Sequence, residues 1–292
     1  MAKKDWEEIQ HKLEAVSPKL LESYIDSGQA FFPSEAFKNP FLHTAENFSA
    51  KQFEKDKPGS WIPIYQSSKL SSFFLDNKLS PVRAGQAEFF FYRGDIFFDL
   101  QEINYTEIQQ DQYLPIHSFI PSTLKVKFER NENAYLNKAV AVGIINHFIE
   151  GNNYSVLERT IQNKSSKRLL YGQFGKIKLT KPLHFQTTQG NKTINPGFQF
   201  EIDLVLENEK EIIIFEAKTG SKPQNSFSLL QLYYPLIYFR YLLGKEKKIR
   251  TVFVDIITNN SQEEYRLIEV VFNQNNFDTV QLQNTITYER QT

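Results

Sequence analysis

The chain contains Phe198-Gln-Phe-Glu-Ile-Asp-Leu-Val-Leu206 and, shortly after it, Glu211-Ile-Ile-Ile-Phe-Glu-Ala-Lys218. Both stretches are apolar, as strands of a protein core are, yet both carry charged residues. A buried charge is costly unless it is paired with an opposite charge or bound to a metal ion. The short Glu-Asn-Glu segment between the stretches predicts a tight turn, so that the two strands form an antiparallel hairpin.

The charged residues of this hairpin fall close together. Strand side chains alternate between faces, so Glu216 and Lys218 share one face and Ala217 points to the other. Pairing about the short turn puts Asp203 beside Glu216, within reach of one cation. Two carboxylates, the Ala217 carbonyl and water form the oxygen-rich shell that Mg²⁺ prefers. Such a site activates water and stabilises charge on a phosphate, and Lys218 would place the attacking water or stabilise the transition state.

The elements around the hairpin predict an α/β (α+β) fold with a mixed central β-sheet flanked by helices. The predicted elements are a helix over 131–149 with an apolar stripe at Leu136, Val140, Ile144 and Phe148, a strand over 154–161, the two charged strands, a helix over 225–243 with a stripe at Leu230, Tyr233, Tyr234, Ile237 and Tyr241, and strands over 250–258, 265–272 and 278–289.

Residues 131–258 resemble the PD-(D/E)XK nuclease superfamily, above all its type II restriction endonucleases. In that family an acid is followed, after a spacer, by Asp or Glu, any residue, and Lys. Here Asp203, twelve intervening residues and Glu216-Ala217-Lys218 match the pattern, and Ile202 stands where the family has Pro. The resemblance implies a restriction-endonuclease-like core that uses Mg²⁺, with Mn²⁺ as a substitute, to hydrolyse double-stranded DNA.

Two helical residues extend the resemblance to the catalytic set. Glu132 occupies the position of a Glu on the helix before the family's core strands. Gln231 is similar to a polar residue of the recombination-repair and exonuclease branch. Each has a plainer interpretation: Glu132 would only favour a helix N-terminus, and Gln231 would be a surface or hinge group near Pro235, where the helix is expected to kink.

Two alternatives also remain open within the hairpin. Glu216 and Lys218 would form an ordinary ion pair if their strand face were solvated. Glu201 faces the same side as Asp203 and would be the metal-binding acid if the register were shifted, although the spacing favours Asp203.

The predicted organisation has two parts. Residues 1–128 form an N-terminal helical and β-rich region for DNA recognition, and residues 129–292 form the nuclease core with a basic insert at 163–196. Within the N-terminal region, residues 88–92 and 96–100 flank Arg93-Gly94-Asp95 and predict a β-hairpin.

Candidate DNA contacts lie in both parts. Arg83 and Gln86 flank a bend, and their side chains suit guanine and adenine edges. Lys125 and Lys127 would meet phosphates. The basic insert, which includes Lys176, would follow the DNA backbone, and its Arg168 would enter a groove. The alternative for both regions is a solvated loop or hairpin.

Composition narrows the class of protein. The 292 residues include 34 basic and 34 acidic residues, so the net charge is zero and a DNA-binding face must concentrate its basic groups. The chain has no cysteine, which excludes disulfides and thiolate metal sites and fits a reducing compartment. No signal segment and no membrane-spanning stretch is evident in the sequence, so we expect a cytoplasmic protein.

The predicted function is therefore a magnesium-dependent, sequence-specific double-stranded DNA endonuclease of restriction type. Cutting both strands of a duplex favours a homodimer, and restriction implies a cognate DNA methyltransferase as a partner of the system. One alternative is a structure-specific or single-strand repair nuclease of the same superfamily. Another is a non-catalytic DNA-binding protein on the same fold.

Overall fold

The structure is a computed structural model, and it describes residues 75, 78–85, 89–113, 132–150, 170–172, 175–207, 210–259, 262–273 and 276–291. The chain divides into two compact units, each assembled from several segments. The first unit lies within Met1–Asp99, Lys178–Gln199 and Asn225–Leu230, and the second within Leu100–Ile177, Phe200–Gln224 and Gln231–Thr292. The fold is mixed α+β, as predicted from the sequence.

The described residues form fifteen strands and three α-helices. The strands are β1 (Leu79–Arg83), β2 (Phe89–Arg93), β3 (Phe97–Asp99), β4 (Thr106–Ile108), β5 (Leu170–Gly172), β6 (Gly175–Lys178), β7 (Leu183–Thr187), β8 (Gly190–Ile194), β9 (Gln199–Ile202), β10 (Leu204–Glu207), β11 (Glu211–Gly220), β12 (Ser226–Ser228), β13 (Lys248–Thr258), β14 (Gln262–Phe272) and β15 (Val280–Gln291). The helices are α1 (Glu132–Ala141), α2 (Ile144–Glu150) and α3 (Leu230–Leu243).

The second unit is built on a seven-stranded sheet, counted over its described residues, in the order β4-β15-β14-β13-β11-β10-β5. The pairs β11–β13 and β15–β4 are parallel, and the remaining pairs are antiparallel, so the sheet is mixed as predicted. The central strands are apolar because both of their faces are covered: β11 is buried from Ile212 to Ala217, and β13 from Thr251 to Thr258.

The predicted charged hairpin is confirmed by the register of β10 on β11. Leu204 lies opposite Phe215, and Glu207 lies opposite Ile212. The same register brings Asp203, one residue before β10, level with Glu216. Because β10 begins only at Leu204, the last part of β11 runs past its neighbour and leaves one edge of that strand open to other groups.

Helices cover the two faces of this sheet. Leu136 and Val140 of α1, with Ile144 and Phe148 of α2, pack in the cluster that holds Phe215, Ala217 and Val254. Phe239 of α3 packs with Ile212 and Ile214, whose side chains alternate with those of Phe215 and Ala217. The α1–α2 pair and α3 therefore lie on opposite faces, as the sequence predicted.

The first predicted helix is divided, so a single helix over 131–149 is wrong. The helix α1 ends as the Val142 N–H donates to the Lys138 carbonyl at 2.9 Å. Gly143 follows with a φ of 91°, a conformation that favours glycine. The predicted apolar stripe is nevertheless buried along both helices, because the break preserves the face that meets the sheet.

The second predicted helix begins five residues later than expected. Residues 226–228 form β12, which pairs with β3, and Phe227 packs against Phe98 with ring centroids 5.9 Å apart. Its predicted apolar stripe fails at Tyr241, whose exposure is 56%. The helix buries Leu232 and Phe239 as well as the predicted side chains, so more than one stripe faces the core.

The predicted hairpin around Arg93-Gly94-Asp95 is wrong. The strand β2 pairs with β1, and β3 pairs with β12. Gly94 makes the difference: its N–H donates to the Lys78 carbonyl at 2.7 Å, and its φ of 143° turns the chain away from β2. Asp95 then accepts the Phe97 N–H at 2.7 Å and sets β3 on a separate course.

The basic insert carries regular structure in its described part, where β5 to β8 lie. The strand β5 forms an edge of the seven-stranded sheet, and β7 pairs with β8 in a separate ribbon. The predicted boundary between residues 128 and 129 and the predicted strand over 154–161 lie outside the described residues. No helix among the described residues is long and apolar enough to cross a membrane.

Candidate active site

Asp203 is positioned by the bend between β9 and β10. Its Oδ2 accepts the backbone N–H of Ala217 at 2.8 Å, on the open edge of β11. The N–H and C=O of one residue leave a strand on the same side, so the Ala217 carbonyl faces the Asp203 side as well. Asp203 is only 7% exposed, which means that its charge is held close to β11 rather than in solvent.

Glu216 and Lys218 extend from the same face of β11. Lys218 Nζ donates to Glu216 Oε1 at 2.7 Å and to the Ala217 carbonyl at 2.9 Å. Glu216 is 6% exposed, so this pair is not the solvated surface ion pair that the sequence left open. The lysine therefore bridges two of the three groups that are predicted to bind a cation.

The two helical candidates both reach the hairpin. Glu132, the first residue of α1, places Oε1 3.4 Å from Lys218 Nζ. Gln231, in the first turn of α3, donates through Nε2 to Glu216 Oε1, while its own Oε1 is buried and has no partner among the described atoms. The structure thus brings together all five residues that were predicted to be catalytic.

Burial perturbs both core carboxyl groups. Burial is the main cause that raises the pKa of Glu216 to about 8; Lys218 opposes the shift, and Asp203 adds to it. Burial also raises the pKa of Asp203, against the opposing effects of the Ala217 N–H and Lys218. Both groups would therefore ionise more readily beside an additional positive charge.

Lys218 is held in its protonated form. Its burial alone would lower the pKa, but the carboxylates of Glu216 and Glu132 more than offset that effect and raise it. Near neutral pH Lys218 is already protonated and cannot accept a further proton. It therefore acts as a fixed positive charge and as a hydrogen-bond donor.

The donor set fits a hard divalent cation. Asp203 and Glu216 supply carboxylate oxygens, and Ala217 supplies a carbonyl oxygen, which are the ligand types that Mg²⁺ prefers. When Asp203, Glu216 and Glu132 are all ionised, three negative charges face the one positive charge of Lys218, and the excess matches one divalent ion. No group of three or more His, Cys, Asp and Glu side chains is arranged to hold a metal ion in the part of the chain that the structure describes.

The geometry favours Asp203 over Glu201 as the acid of the site. Glu201 is exposed on β9, whereas Asp203 is buried and bonded to the backbone beside Glu216. The bend after Ile202 causes the difference, because it turns Asp203 towards β11.

The predicted DNA contacts are only partly described. Arg83 is half-buried, donates to the Gly85 carbonyl at 3.1 Å, and lies 5.3 Å from the centre of the Phe198 ring. Lys176 is exposed on β6. Gln86, Lys125, Lys127 and Arg168 lie outside the described residues, and the roles of all six stay predictions.

Asp255 is a buried acid that the sequence reasoning missed. It lies on β13 beside Lys218 in the parallel register and is 1% exposed. Its Oδ2 accepts the Gln224 N–H at 3.0 Å, so it holds the turn that follows β11, while Oδ1 has no partner among the described atoms. Burial raises its pKa to about 6, against the Gln224 N–H and Arg266. The signal was present: an acid within an apolar strand, as at Asp203.

Asp255→Asn is expected to leave stability at pH 8 unchanged or higher, whereas Asp255→Ala should lower it by about 1–3 kcal/mol. Asn keeps an acceptor for the Gln224 N–H and removes a charge whose ionisation above about pH 6 is unfavourable. Urea unfolding of both variants at pH 8 and pH 5 measures this. Equal destabilisation by Asn and Ala at pH 8 would show that Asp255 is not a buried acceptor whose charge is unfavourable.

The fold and the site define an α+β protein with a buried two-carboxylate, one-lysine centre at the open edge of a hairpin. The chain belongs to the family described as a domain of unknown function, DUF6997, whose model matches residues 93–289, more than half of the chain. All five candidate catalytic residues fall within that match. No curated protein and no solved structure matches the chain.

Proposed function

We propose that the chain is a magnesium-dependent, sequence-specific endonuclease that hydrolyses phosphodiester bonds of double-stranded DNA, of the type II restriction kind. The observation that carries the proposal is the open end of β11, where Asp203 is bonded to the Ala217 N–H while Glu216 and Lys218 are bonded to each other. Two buried acids around one lysine leave an excess of negative charge unless a proton or a bound cation balances it, and a divalent cation at this edge would do so.

Each residue has a distinct role in this proposal. Asp203, Glu216 and the Ala217 carbonyl would hold Mg²⁺, or Mn²⁺ in its place. When bound, the ion supplies a water of lowered pKa and neutralises charge on the scissile phosphate. Lys218 remains protonated, so it would orient the attacking water through hydrogen bonds and stabilise the charge that develops on the phosphate.

The two helical residues would act on the others rather than on the DNA. Gln231 donates to the Glu216 oxygen that also accepts from Lys218, so it fixes the orientation of that carboxylate. Glu132 lies 3.4 Å from the Lys218 ammonium group and would restrict where that group can point. Such fixed orientation of the reacting groups is one of the larger sources of rate enhancement in enzymes.

The biological setting belongs to the same proposal. Cutting both strands of a duplex calls for two sites, which a homodimer supplies with the symmetry of its target. Restriction would take place in the cytoplasm, where the DNA is, and would require a cognate DNA methyltransferase to protect the host.

A second candidate is a structure-specific or single-strand repair nuclease of the same superfamily. The contact of Gln231 with Glu216 supports it, because a Gln on this helix is the feature that resembles the repair branch. A non-catalytic DNA-binding protein is a third reading, and the intact set of two acids and one lysine argues against it.

Digestion of unmethylated plasmid DNA with Mg²⁺ separates the candidates. A restriction enzyme should give discrete fragments that disappear with a chelator and with Glu216→Gln. A smear, or preference for single-stranded DNA, would support the repair nuclease. Absence of any metal-dependent cutting of duplex or single strand would contradict both enzymes and favour a binding protein.

A further inference from the structure

The first unit presents a two-stranded ribbon made of β7 and β8. Leu183 pairs with Ile194 and turns to the interior, where both are buried, and Phe185 is buried on the same side. The opposite face of the ribbon is polar and turned outward, because strand side chains alternate. Its side chains are those of His184, Gln186, Asn191 and Thr193.

These outward side chains sit in directly opposed pairs. His184 lies opposite Thr193, and its Nδ1 is 3.0 Å from the threonine hydroxyl. Gln186 lies opposite Asn191, and both are exposed. Opposed residues in an antiparallel pair have Cβ atoms about 5 Å apart, so two carboxamides stand side by side near the tip of the ribbon.

The ribbon is held rigidly at its tip and at its base. Thr187 Oγ1 donates to the Gly190 carbonyl at 2.9 Å and accepts the Gln189 N–H at 3.0 Å, which fixes the turn. The Gln189 side chain bonds to both the N–H and the C=O of Arg93. At the base, the Asn195 N–H donates to the Ala84 carbonyl at 2.6 Å. Rigid display of polar groups lowers the entropy lost when they bind a partner.

The charge of this part of the chain fits a polyanion. Between Glu158 and Glu201 the sequence has no acidic residue at all, although acids and bases balance in the whole chain. Lys178 and Lys181, just before β7, are exposed. Phosphates of DNA attract such a segment without regard to base sequence.

We propose that the outward face of the β7–β8 ribbon reads base edges in the major groove of duplex DNA, with Gln186 and Asn191 contacting adenine. The proposal rests on the proposed nuclease function and supplies its source of sequence preference. The major groove admits a two-stranded ribbon, and Gln or Asn bonds to adenine through two hydrogen bonds. Thr193 and His184 would contact the neighbouring base pair nearer the base of the ribbon.

Binding of a randomised duplex library, measured in the cleavage-deficient Lys218→Ala protein, tests the ribbon. The preferred sequence of the Lys218→Ala protein is compared with that of the same protein carrying one further change: Gln186→Ala, Asn191→Ala or the isosteric Gln186→Glu. Each change should relax discrimination at an adenine position about 5- to 100-fold. Gln281→Ala, an exposed strand glutamine of the second unit, is the matched control and should leave the preference unchanged.

The outcomes separate this inference from the nuclease proposal. If the three ribbon variants keep their base preference and the wild-type protein cuts DNA, only the proposal that the ribbon reads bases is overturned. If the ribbon variants lose base preference but the wild-type protein never cuts DNA, the nuclease proposal is overturned and the ribbon proposal stands. Absence of duplex binding would overturn both. Thermal melting of each variant checks its folding, which these exposed substitutions should not alter.

Discussion

Lys218→Ala is expected to reduce DNA cleavage by roughly 10²- to 10⁴-fold, while specific binding of the duplex changes little. Lys218 bonds both Glu216 and the Ala217 carbonyl, and the neighbouring carboxylates keep it protonated. Its positive charge is thus available in the transition state but is not needed to hold the ground-state duplex. Single-turnover cleavage at saturating enzyme, with binding measured separately, gives the two effects.

Lys247→Ala is the matched control for this experiment. The side chains of Lys247 and Lys218 are both 22% exposed, and both form ion pairs, Lys247 with Glu207 and Lys218 with Glu216. The control matches the exposure and the pairing of the lysine, although its partner Glu207 is more exposed than Glu216 (38% against 8%). Only the Lys218 variant should lose cleavage, and full cleavage by Lys218→Ala would remove the proposed mechanism.

Divalent cations are expected to stabilise the protein far more at pH 8 than at pH 5.5, and Glu216 is the main cause. Folding raises the pKa of Glu216 from 4.5 to about 8, chiefly through burial. An acid whose pKa is raised on folding favours the fold when protonated. Its contribution is therefore fully present below about pH 4.5 and is lost as the pH rises through about 8. Asp203 contributes in the same direction.

The magnitude follows from the linkage between proton binding and folding. One pKa unit corresponds to about 1.4 kcal/mol. The free energy of unfolding of the metal-free protein should therefore fall by a few kcal/mol between about pH 4.5 and about pH 8. Mg²⁺ offsets the loss because it replaces the proton as the group that balances the two carboxylates. Melting temperatures with Mg²⁺ and with a chelator, recorded at pH 5.5 and pH 8, measure the effect.

Two substitutions sharpen this prediction. Glu216→Gln should flatten the pH dependence and remove most of the stabilisation by Mg²⁺. Glu269→Gln is the control, because Glu269 is also buried but its pKa is lowered, with Arg250 and Asn284 outweighing the effect of burial. It should destabilise the fold without altering the response to Mg²⁺. Equal stabilisation of Glu216→Gln and wild type by Mg²⁺ would show that the cation binds elsewhere.

Local information in the sequence was sufficient for the hairpin and for strands β13, β14 and β15 of the sheet, but not for its edge strands β4 and β5. The strands β11 and β13 are long and largely apolar, β14 is mixed, and β15 alternates apolar with polar residues, so their patterns and their turns reveal them. The register of Asp203 on Glu216 follows from a turn of a few residues, because the loop leaves little freedom in pairing. Asp203, Glu216 and Lys218 could be found from their spacing because they lie close together in the sequence, on either side of this short turn.

Distant pairing was not available from the sequence. The strand β3 pairs with β12, which lies far along the chain, so the nearer β2 was wrongly chosen as its partner. That pairing also takes residues 226–228 out of the predicted helix. Asp255 is visible in the sequence as an acid within an apolar strand, but its partner Gln224 lies 31 residues away, so only the folded chain shows what that acid holds.

Asp203, Glu216 and Lys218 are proposed to form a metal-dependent centre that cuts DNA. The most direct test is the rate of plasmid cleavage by wild type and by Asp203→Asn, each with Mg²⁺ and with a chelator. We expect discrete fragments from wild type with Mg²⁺ and none in the other three reactions. Cleavage by Asp203→Asn at the wild-type rate, or cleavage that persists with the chelator, would contradict the proposed metal-dependent centre.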